Sequence, residues 1–258
     1  MVRILIFALL MSCVTLAFAG LDQHNRFDEV IAIYRFENVQ DSGPRAFHGT
    51  LQDNASIVAN GKIGKCLYLR NDQFFASLDD LFLGVVGNFS IVGWIKTRSI
   101  AVDKSIILSA SSTTDNGDFS AISMSIDSDS VVGLIVDGED DEIDGIIANG
   151  VDVADGRWNH VAFSLTEDFY RIFVNGEVVK EEKNEGYTGF VGNDTLILVD
   201  SSSTGNHYID EVGFFETGFS PYEIKGLYQD GLSTFLDVMP VDPEGLATTT
   251  WADLKSAR

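Results

Sequence analysis

Short apolar runs rich in β-branched and aromatic residues recur along most of this chain, separated by Gly, Asn, Asp and Ser. The run Phe89–Ile95 is apolar on both faces of a strand, which indicates that one face packs in a core and the other is partly covered. Apolar runs also flank Asn175-Gly176, a dipeptide that accepts the positive φ angles of a two-residue hairpin turn. The pattern predicts an all-β fold of short strands joined by tight turns.

Further strands and one helix are predicted from the same patterning. The additional strand segments are 31–36, 64–69, 105–109, 119–126, 131–136, 195–199 and 208–215. Ser220 has the character of a helix N-cap, Pro221 suits the first helical position, and Glu223 completes a capping box. One short C-terminal helix is therefore expected, with Gly231 as its stop.

The length and the amino-acid composition of the chain indicate its domain organisation. The chain has 258 residues, of which 45% are apolar, and its 24 Gly against 4 Pro suit a turn-rich β domain. We expect a single β domain over residues 28–237, followed by a linker-like C-terminal tail over residues 238–258.

The first 19 residues have the pattern of an export signal. Arg3 supplies a positive charge, an apolar stretch follows from Ile4 to Leu10, and Ala17-Phe18-Ala19 fits a cleavage site. A lipoprotein signal at Cys13 is the alternative, although the apolar residues after Cys13 disfavour it. The expected location is extracellular or periplasmic. Cleavage leaves Cys66 as a lone thiol, either buried in a strand or paired between two chains.

The strongly negative net charge argues against some classes of binding partner. The formal net charge of −22 repels phosphate backbones, so nucleic acid is not expected as a partner. Cations and neutral sugars remain compatible with it.

Four segments, in this order, resemble the laminin-G-like family of the concanavalin-A-like lectin/glucanase superfamily. They are 34–51, 61–67 with 89–96, 156–163 leading into the Asn175-Gly176 hairpin, and 209–215 followed by the Ser220-Pro221 helix. The resemblance implies a jelly-roll sandwich of two antiparallel sheets, in agreement with the all-β pattern.

The resemblance also implies a structural Ca²⁺ where the first and last strands meet. The matching carboxylates are Glu37, Asp41 and Asp210, and a backbone carbonyl near Gly49 or Thr50 completes the oxygen set that Ca²⁺ prefers. The alternative is that Asp41 caps a turn and that Asp210 accepts backbone hydrogen bonds.

A catalytic centre is not expected. Six acids lie within residues 137–144, which we interpret as a solvated acidic loop, with a surface cation site as the alternative. Glu142-Ile143-Asp144 resembles the start of a retaining β-glucanase motif, but Ile146 stands where a further acid is needed.

Aromatic side chains are the remaining signal, because sugar binders stack flat rings on pyranose faces. Tyr34, Trp94, Trp158 and Phe163 are expected in packing positions. The candidates for a binding platform, each also compatible with the core, are Phe74, Phe75, Phe119, Phe169, Tyr187, Phe190 and Tyr208.

The sequence therefore predicts a secreted, non-catalytic module that recognises extracellular glycan or protein ligands and carries a structural calcium ion. A structural or adhesive surface protein and a glycoside hydrolase are the alternatives.

Overall fold

The computed structural model describes residues 28–78, 83–86, 88–100, 105–113, 119–137, 142–185, 189–192, 194–202 and 205–237. The expected signal peptide and C-terminal tail lie outside these ranges, so both stay predictions. Within the described ranges the strands, in chain order, are β1 (Val30–Tyr34), β2 (Thr50–Leu51), β3 (Ser56–Ala59), β4 (Lys65–Leu69), β5 (Gln73–Leu78), β6 (Leu83–Val86), β7 (Phe89–Lys96), β8 (Ile106–Thr113), β9 (Phe119–Ile126), β10 (Ser130–Asp137), β11 (Glu142–Asn149), β12 (Trp158–Leu165), β13 (Phe169–Val174), β14 (Glu177–Lys183), β15 (Gly189–Gly192), β16 (Asp194–Ser201) and β17 (His207–Phe215). The helix α1 spans Pro221–Asp237.

The strands form two large antiparallel sheets, as the sequence predicted. The eight-stranded sheet has the order β14-β13-β12-β7-β17-β4-β3, with β1 also pairing with β17. The seven-stranded sheet has the order β11-β10-β9-β8-β16-β5-β2, and β15 and β6 form a separate ribbon. The main apolar cluster lies between the two large sheets and takes residues from both, including Ile91 and Phe163 from one and Leu108 and Met124 from the other.

Strand β7 explains why some runs are apolar on both faces. Its residues Phe89 and Ile91 belong to the core between the sheets, whereas Val92 belongs to a second apolar cluster on the outer face. Helix α1 covers that outer face through Ile224 and Leu227, both fully or almost fully buried. The eight-stranded sheet is thus a middle layer, covered on one side by the other sheet and on part of its other side by the helix.

Buried polar contacts anchor the start of the helix. Ser90 Oγ accepts a hydrogen bond from Phe219 N at 2.9 Å, and Ser164 Oγ donates to Phe219 O at 3.0 Å. The predicted capping box is present, because Ser220 N donates to Glu223 Oε2 at 2.8 Å and Glu223 N to Ser220 Oγ at 3.4 Å. The described helices include none that is both long and apolar enough to cross a membrane.

Two local predictions need correction. Gly231 does not end the helical segment: its φ of 79° and ψ of 165° break the helix there, and helical structure resumes to Asp237. The acidic run is not a loop throughout, since residues 142–144 open strand β11, which pairs with β10 along its length and buries Ile146 and Ala148. Residues 138–141 lie outside the described ranges. The Asn175-Gly176 hairpin is confirmed, with φ values of 51° and 81° between β13 and β14.

Strand β17 changes neighbours along its length. Residues 207–209 pair with β4, whereas residues 212–215 pair with β1, and β7 flanks both parts. The register shifts between Asp210 and Gly213, and Glu211 there has a φ of 49°, a left-handed conformation that non-glycine residues seldom adopt. The first and last strands of the sandwich therefore meet beside an irregular segment of β17.

Replacement of Gly49 by Ala should destabilise the fold. A Cβ atom at Gly49 would overlap the buried ring of Phe74, so the core must shift to admit one carbon atom. We expect the free energy of unfolding to fall by about 1–3 kcal/mol. Urea denaturation of the purified protein measures the change.

Gly226→Ala is the matched control. A Cβ atom at Gly226 meets nothing within 4 Å, and Ala is the better helix former, so this variant should gain up to about 1 kcal/mol. Equal stability of the two variants would contradict the close approach of Gly49 to Phe74.

Candidate functional site

Glu37 and Asp210, two of the residues predicted to bind calcium, contact the same turn between β3 and β4. Ile63 N donates to Asp210 Oδ2 at 3.0 Å, and Lys65 N donates to Glu37 Oε1 at 2.9 Å. Asp210 Oδ1 also accepts a hydrogen bond from Glu211 N at 2.9 Å. The two carboxylates therefore join the segment after β1 and the irregular part of β17 to a single turn.

Asp41 lies at a different turn. Its Oδ1 accepts hydrogen bonds from Ile33 N and Gly43 N, both at 2.7 Å, and its Oδ2 accepts one from Phe47 N at 3.0 Å. Gly49 packs against Phe74, and Thr50 begins β2 opposite Phe75. The structure thus brings Glu37 and Asp210 together at one turn and places Asp41 in the loop that leads to Gly49 and Thr50.

Backbone N–H groups contact the carboxylate oxygens of Glu37, Asp41 and Asp210. This is the arrangement of the alternative interpretation, in which Asp41 caps a turn and Asp210 accepts backbone hydrogen bonds. The described part of the chain holds no group of three or more His, Cys, Asp or Glu side chains arranged to hold a metal ion. The calcium site itself stays a prediction.

The carboxyl group of Asp210 is fully buried, which alters its ionisation. Burial raises its pKa from 3.8 to about 7, and the neighbouring Glu211 adds to the increase, while the hydrogen bonds from Ile63 N and Glu211 N act in the opposite direction. Burial also raises the pKa of Glu211, although the positive charge of Arg35 opposes this effect.

A different part of the same sheet offers a surface to a ligand. Tyr208 of β17 is opposite Tyr68 of β4 on one side and Lys96 of β7 on the other, and Lys96 is in turn opposite Trp158 of β12. Residues directly opposite in neighbouring strands project from the same face. These four half-buried side chains form a row across the outer face, beyond the region that the helix covers. We call Tyr68, Lys96, Trp158 and Tyr208 the aromatic row.

The aromatic row borders an open groove of about 410 Å³. The residues that line this groove are Lys96, Thr97, Arg98, Ser99, Gly156, Asn206 and Tyr208. Most of them belong to the segment after β7 and to the approach to β17. Gly156 N donates to Thr97 O at 2.7 Å, and Thr97 Oγ1 is 2.8 Å from His207 Nδ1. Hydrogen bonds therefore connect the segment after β7 with the loop before β12 and with the start of β17.

The rings and polar groups of the row contact one another. The rings of Tyr68 and Tyr208 lie 5.4 Å apart, and Tyr68 Oη donates to Asn206 Oδ1 at 2.9 Å. Lys96 Nζ lies 5.6 Å from the Tyr208 ring centroid and 5.9 Å from that of Trp158, within the range of cation–π attraction. The groove therefore combines ring faces, hydrogen-bonding groups and positive charge.

Sequence reasoning identified this site only in part. Tyr208 was among the platform candidates, whereas Trp158 was expected in a packing position and instead lies half-buried in the row. Phe74, another candidate, is a core residue. Tyr68, Lys96, Arg98 and Asn206 were missed, because the signal is their alignment across paired strands, which the order of residues along the chain does not display.

Two stacked antiparallel sheets with a groove at one end of the outer face of the eight-stranded sheet define a jelly-roll sandwich of the lectin-like class. The chain belongs to the laminin-G type of the Concanavalin A-like lectin/glucanases superfamily, whose sequence model matches residues 71–225. The predicted family and fold are confirmed. A comparison with curated proteins found no relative of this sequence.

Solved structures with the same fold include receptor-binding domains of toxins. The binding domain of Paraclostridial Mosquitocidal Protein 1 matches with a TM-score of 0.64 and 13% identity, over 79% of this chain and 52% of that one. The botulinum neurotoxin serotype G binding domain matches with a TM-score of 0.61 and 16% identity, over 80% and 52%. The binding domain of botulinum neurotoxin DC in complex with SialylT matches with a TM-score of 0.61 and 13% identity, over 81% and 52%. This chain thus spans about half the length of these structures.

Ionisation of Asp210 should make the folded state less stable as the pH rises. The raised pKa means that the folded protein holds this proton more tightly than the unfolded chain, so the contribution is lost as the pH increases from about 4 to about 7. Asp210→Asn removes the ionisation, and its free energy of unfolding should decline less across that interval. Urea denaturation at a series of pH values measures both slopes.

Asp168→Asn serves as the control, because Asp168 is an exposed carboxylate in the turn before β13. Its slope should equal that of the unchanged protein. Equal slopes for Asp210→Asn and the unchanged protein would exclude the proposed ionisation of Asp210.

Proposed function

We propose that this chain is an exported, non-catalytic carbohydrate-binding module whose ligand occupies the groove beside the aromatic row. The observation that carries the proposal is the aligned row itself, from which Tyr208 and Lys96 line a groove that also contains amide, hydroxyl and further cationic groups. Export is supported by the pattern of Arg3, the apolar stretch after it and Ala17-Phe18-Ala19.

The chemistry of the groove suits a sugar. A pyranose ring has an apolar face, which packs on an aromatic ring, and an equatorial rim of hydroxyl groups, which needs hydrogen-bond partners. Tyr208 supplies a ring at the groove wall. The Oδ1 atom of Asn206 accepts from Tyr68, so Asn206 keeps its Nδ2 hydrogens as donors to a ligand. Ser99, which also lines the groove, adds a hydroxyl group.

The dimensions agree with a small saccharide. Pockets for small ligands range from about 300 to 1,000 Å³, and the groove of about 410 Å³ lies in the lower part of this range. Because the groove is open, we expect it to accommodate one or two sugar units of a longer chain that continues into solvent.

Two structural neighbours support the same class of ligand. One is described in complex with SialylT, and cell entry of botulinum neurotoxin type C is described as dependent upon interaction with two ganglioside molecules. Both matches are at 13–14% identity, so they support the class of ligand and not the position of the site.

Removal of the Tyr208 ring should abolish most of the saccharide affinity. A stacked aromatic ring contributes about 0.5–1.5 kcal/mol beyond the area it buries, so Tyr208→Ala should weaken binding by roughly tenfold or more. Tyr208→Phe, which keeps the ring, should retain most of the affinity. A glycan array identifies a bound saccharide, and isothermal titration calorimetry measures its affinity for each variant.

Tyr222→Ala is the matched control, because Tyr222 is 87% exposed on helix α1, away from the groove. Its affinity should equal that of the unchanged protein. Unchanged binding by Tyr208→Ala would place the ligand elsewhere on the molecule, and absence of binding to any arrayed saccharide would refute the proposed function.

We also retain the structural calcium ion as a proposal about stability. It is supported by the meeting of Glu37 and Asp210 at one turn, because carboxylate oxygens are ligands that Ca²⁺ prefers. The hydrogen bonds that these carboxylates accept already link the same segments, so an ion would reinforce an existing connection.

Chelation tests this proposal. An excess of EDTA should lower the melting temperature of the purified protein, and added Ca²⁺ should restore it, because a ligand that binds only the folded state stabilises that state. Added Mg²⁺ is the control for a non-specific effect of divalent cations. An unchanged melting temperature together with no calcium by elemental analysis would show that the protein binds no structural calcium ion.

A further inference from the structure

We infer that the ligand of the groove is an acidic saccharide, and that Lys96 and Arg98 bind its carboxylate or sulfate group. This inference rests on the proposed function and specifies the class of sugar. It is carried by the arrangement of positive charge at the groove.

Several basic residues of this protein pair with a carboxylate. The ion pairs among the described residues are Arg45 with Glu216, Arg157 with Asp155, Arg171 with Glu181, Lys180 with Glu182 and Lys225 with Glu177. Such pairing is expected where 39 acidic residues accompany 17 basic ones. Lys96 and Arg98 both line the groove, and neither forms an ion pair with a carboxylate of the described residues.

Asp155, an acidic residue next to the groove, already has partners in its own loop. Asp155 precedes Gly156 of the groove wall, and it accepts hydrogen bonds from Arg157 N at 2.8 Å and from Asn159 Nδ2 at 3.0 Å. Its second oxygen pairs with Arg157 Nε at 3.6 Å. Asp155 thus interacts with residues of its own loop, and it forms no ion pair with Arg98.

Two features hold the cations in position. The Lys96 ammonium group lies between the rings of Tyr208 and Trp158, at 5.6 and 5.9 Å from their centroids. The Arg98 side chain rests on the backbone at Gly156, where a Cβ atom would lie 3.0 Å from Arg98 Cγ and 3.4 Å from Nε. Gly156 also has a φ of 80°, which favours glycine, so this position combines a turn with close approach of the arginine.

An acidic saccharide matches this combination of charge and rings. A guanidinium group binds a carboxylate or sulfate in two-point fashion, and a lysine ammonium group adds a point charge. A sugar ring attached to the anion can pack on Tyr208, which lies beside both cations at the groove. A neutral sugar would use the ring but leave the two positive charges without a counter-charge.

The experiment compares neutral and acidic saccharides on the same protein. The neutral probes are lactose and a cello-oligosaccharide, the carboxylate probes are sialyllactose and an unsulfated chondroitin hexasaccharide, and the sulfate probe is a chondroitin sulfate hexasaccharide. Titration calorimetry should give at least one acidic probe an affinity about tenfold or more above its neutral counterpart, since a hydrogen bond to a charged group contributes about 1.5–3 kcal/mol. The two acidic classes distinguish a carboxylate from a sulfate as the bound group.

Arg98→Gln and Lys96→Gln each remove one of the two positive charges. Arg98→Gln is the variant less able to disturb folding, because Arg98 is exposed whereas Lys96 is half-buried. Each should lower the affinity for the acidic probe roughly tenfold and lower the affinity for a neutral probe by a clearly smaller factor, because only the acidic probe loses a charged hydrogen bond. Lys180→Gln is the control, because it removes the same charge from β14, at the edge of the sheet. It should bind as the unchanged protein does.

The outcomes separate this inference from the proposed function. Neutral saccharides that bind as tightly as acidic ones, with affinity lost in Tyr208→Ala, would overturn the acidic ligand and leave the binding module in place. Unchanged affinity of Arg98→Gln and Lys96→Gln for an acidic probe would also overturn it. Absence of binding to all five probes, with a silent glycan array, would overturn both.

Discussion

The irregular segment of β17 at Asp210 is the constraint on which the rest of the sandwich depends. A single strand there exchanges β4 for β1 as its neighbour, and a regular ladder cannot satisfy the backbone groups at such a change. The carboxylate of Asp210 accepts N–H groups from the turn at Ile63 and from Glu211, and Glu37 holds the next part of that turn through Lys65 N. A buried acid is costly in isolation, and these donors offset part of the cost.

The position of this segment determines how the outer face of the sheet is divided. On one side of it, β1 and the end of β17 supply Val30, Ile33 and Phe215 to the cluster beneath helix α1. On the other side, β4 and the start of β17 carry Tyr68 and Tyr208, which the helix does not cover. Trp94 marks the boundary, since its ring stacks on Tyr228 of the helix at 5.6 Å and lies beneath the Lys62 ammonium group at 3.8 Å. One sheet face therefore serves both for packing and for the proposed ligand site.

The groove carries local positive charge in a protein that is acidic as a whole. The chain as a whole is strongly acidic, so an anionic ligand meets long-range repulsion and needs local positive charge to remain bound. The groove supplies such charge through Lys96 and Arg98, and no carboxylate of the described residues forms an ion pair with either of them. Cys66, on the same face, is buried, and burial raises the pKa of its thiol to about 11, so it behaves as a small apolar residue and not as a reactive group.

The sequence by itself determined the class of the fold, because alternation, β-branched runs and turn dipeptides are local properties. The hairpin at Asn175-Gly176 and the capping box at Ser220 are of this kind, and both are present. The tertiary structure alone decided which apolar face is covered by the other sheet and which by the helix, and it decided that Trp158 lies in the aromatic row. It also set the alignment of Tyr68, Tyr208, Lys96 and Trp158, which come from four strands far apart in the chain. The physical reason is that strand register depends on hydrogen bonds and packing between distant segments, and a shift of one residue would turn every one of these side chains to the opposite face.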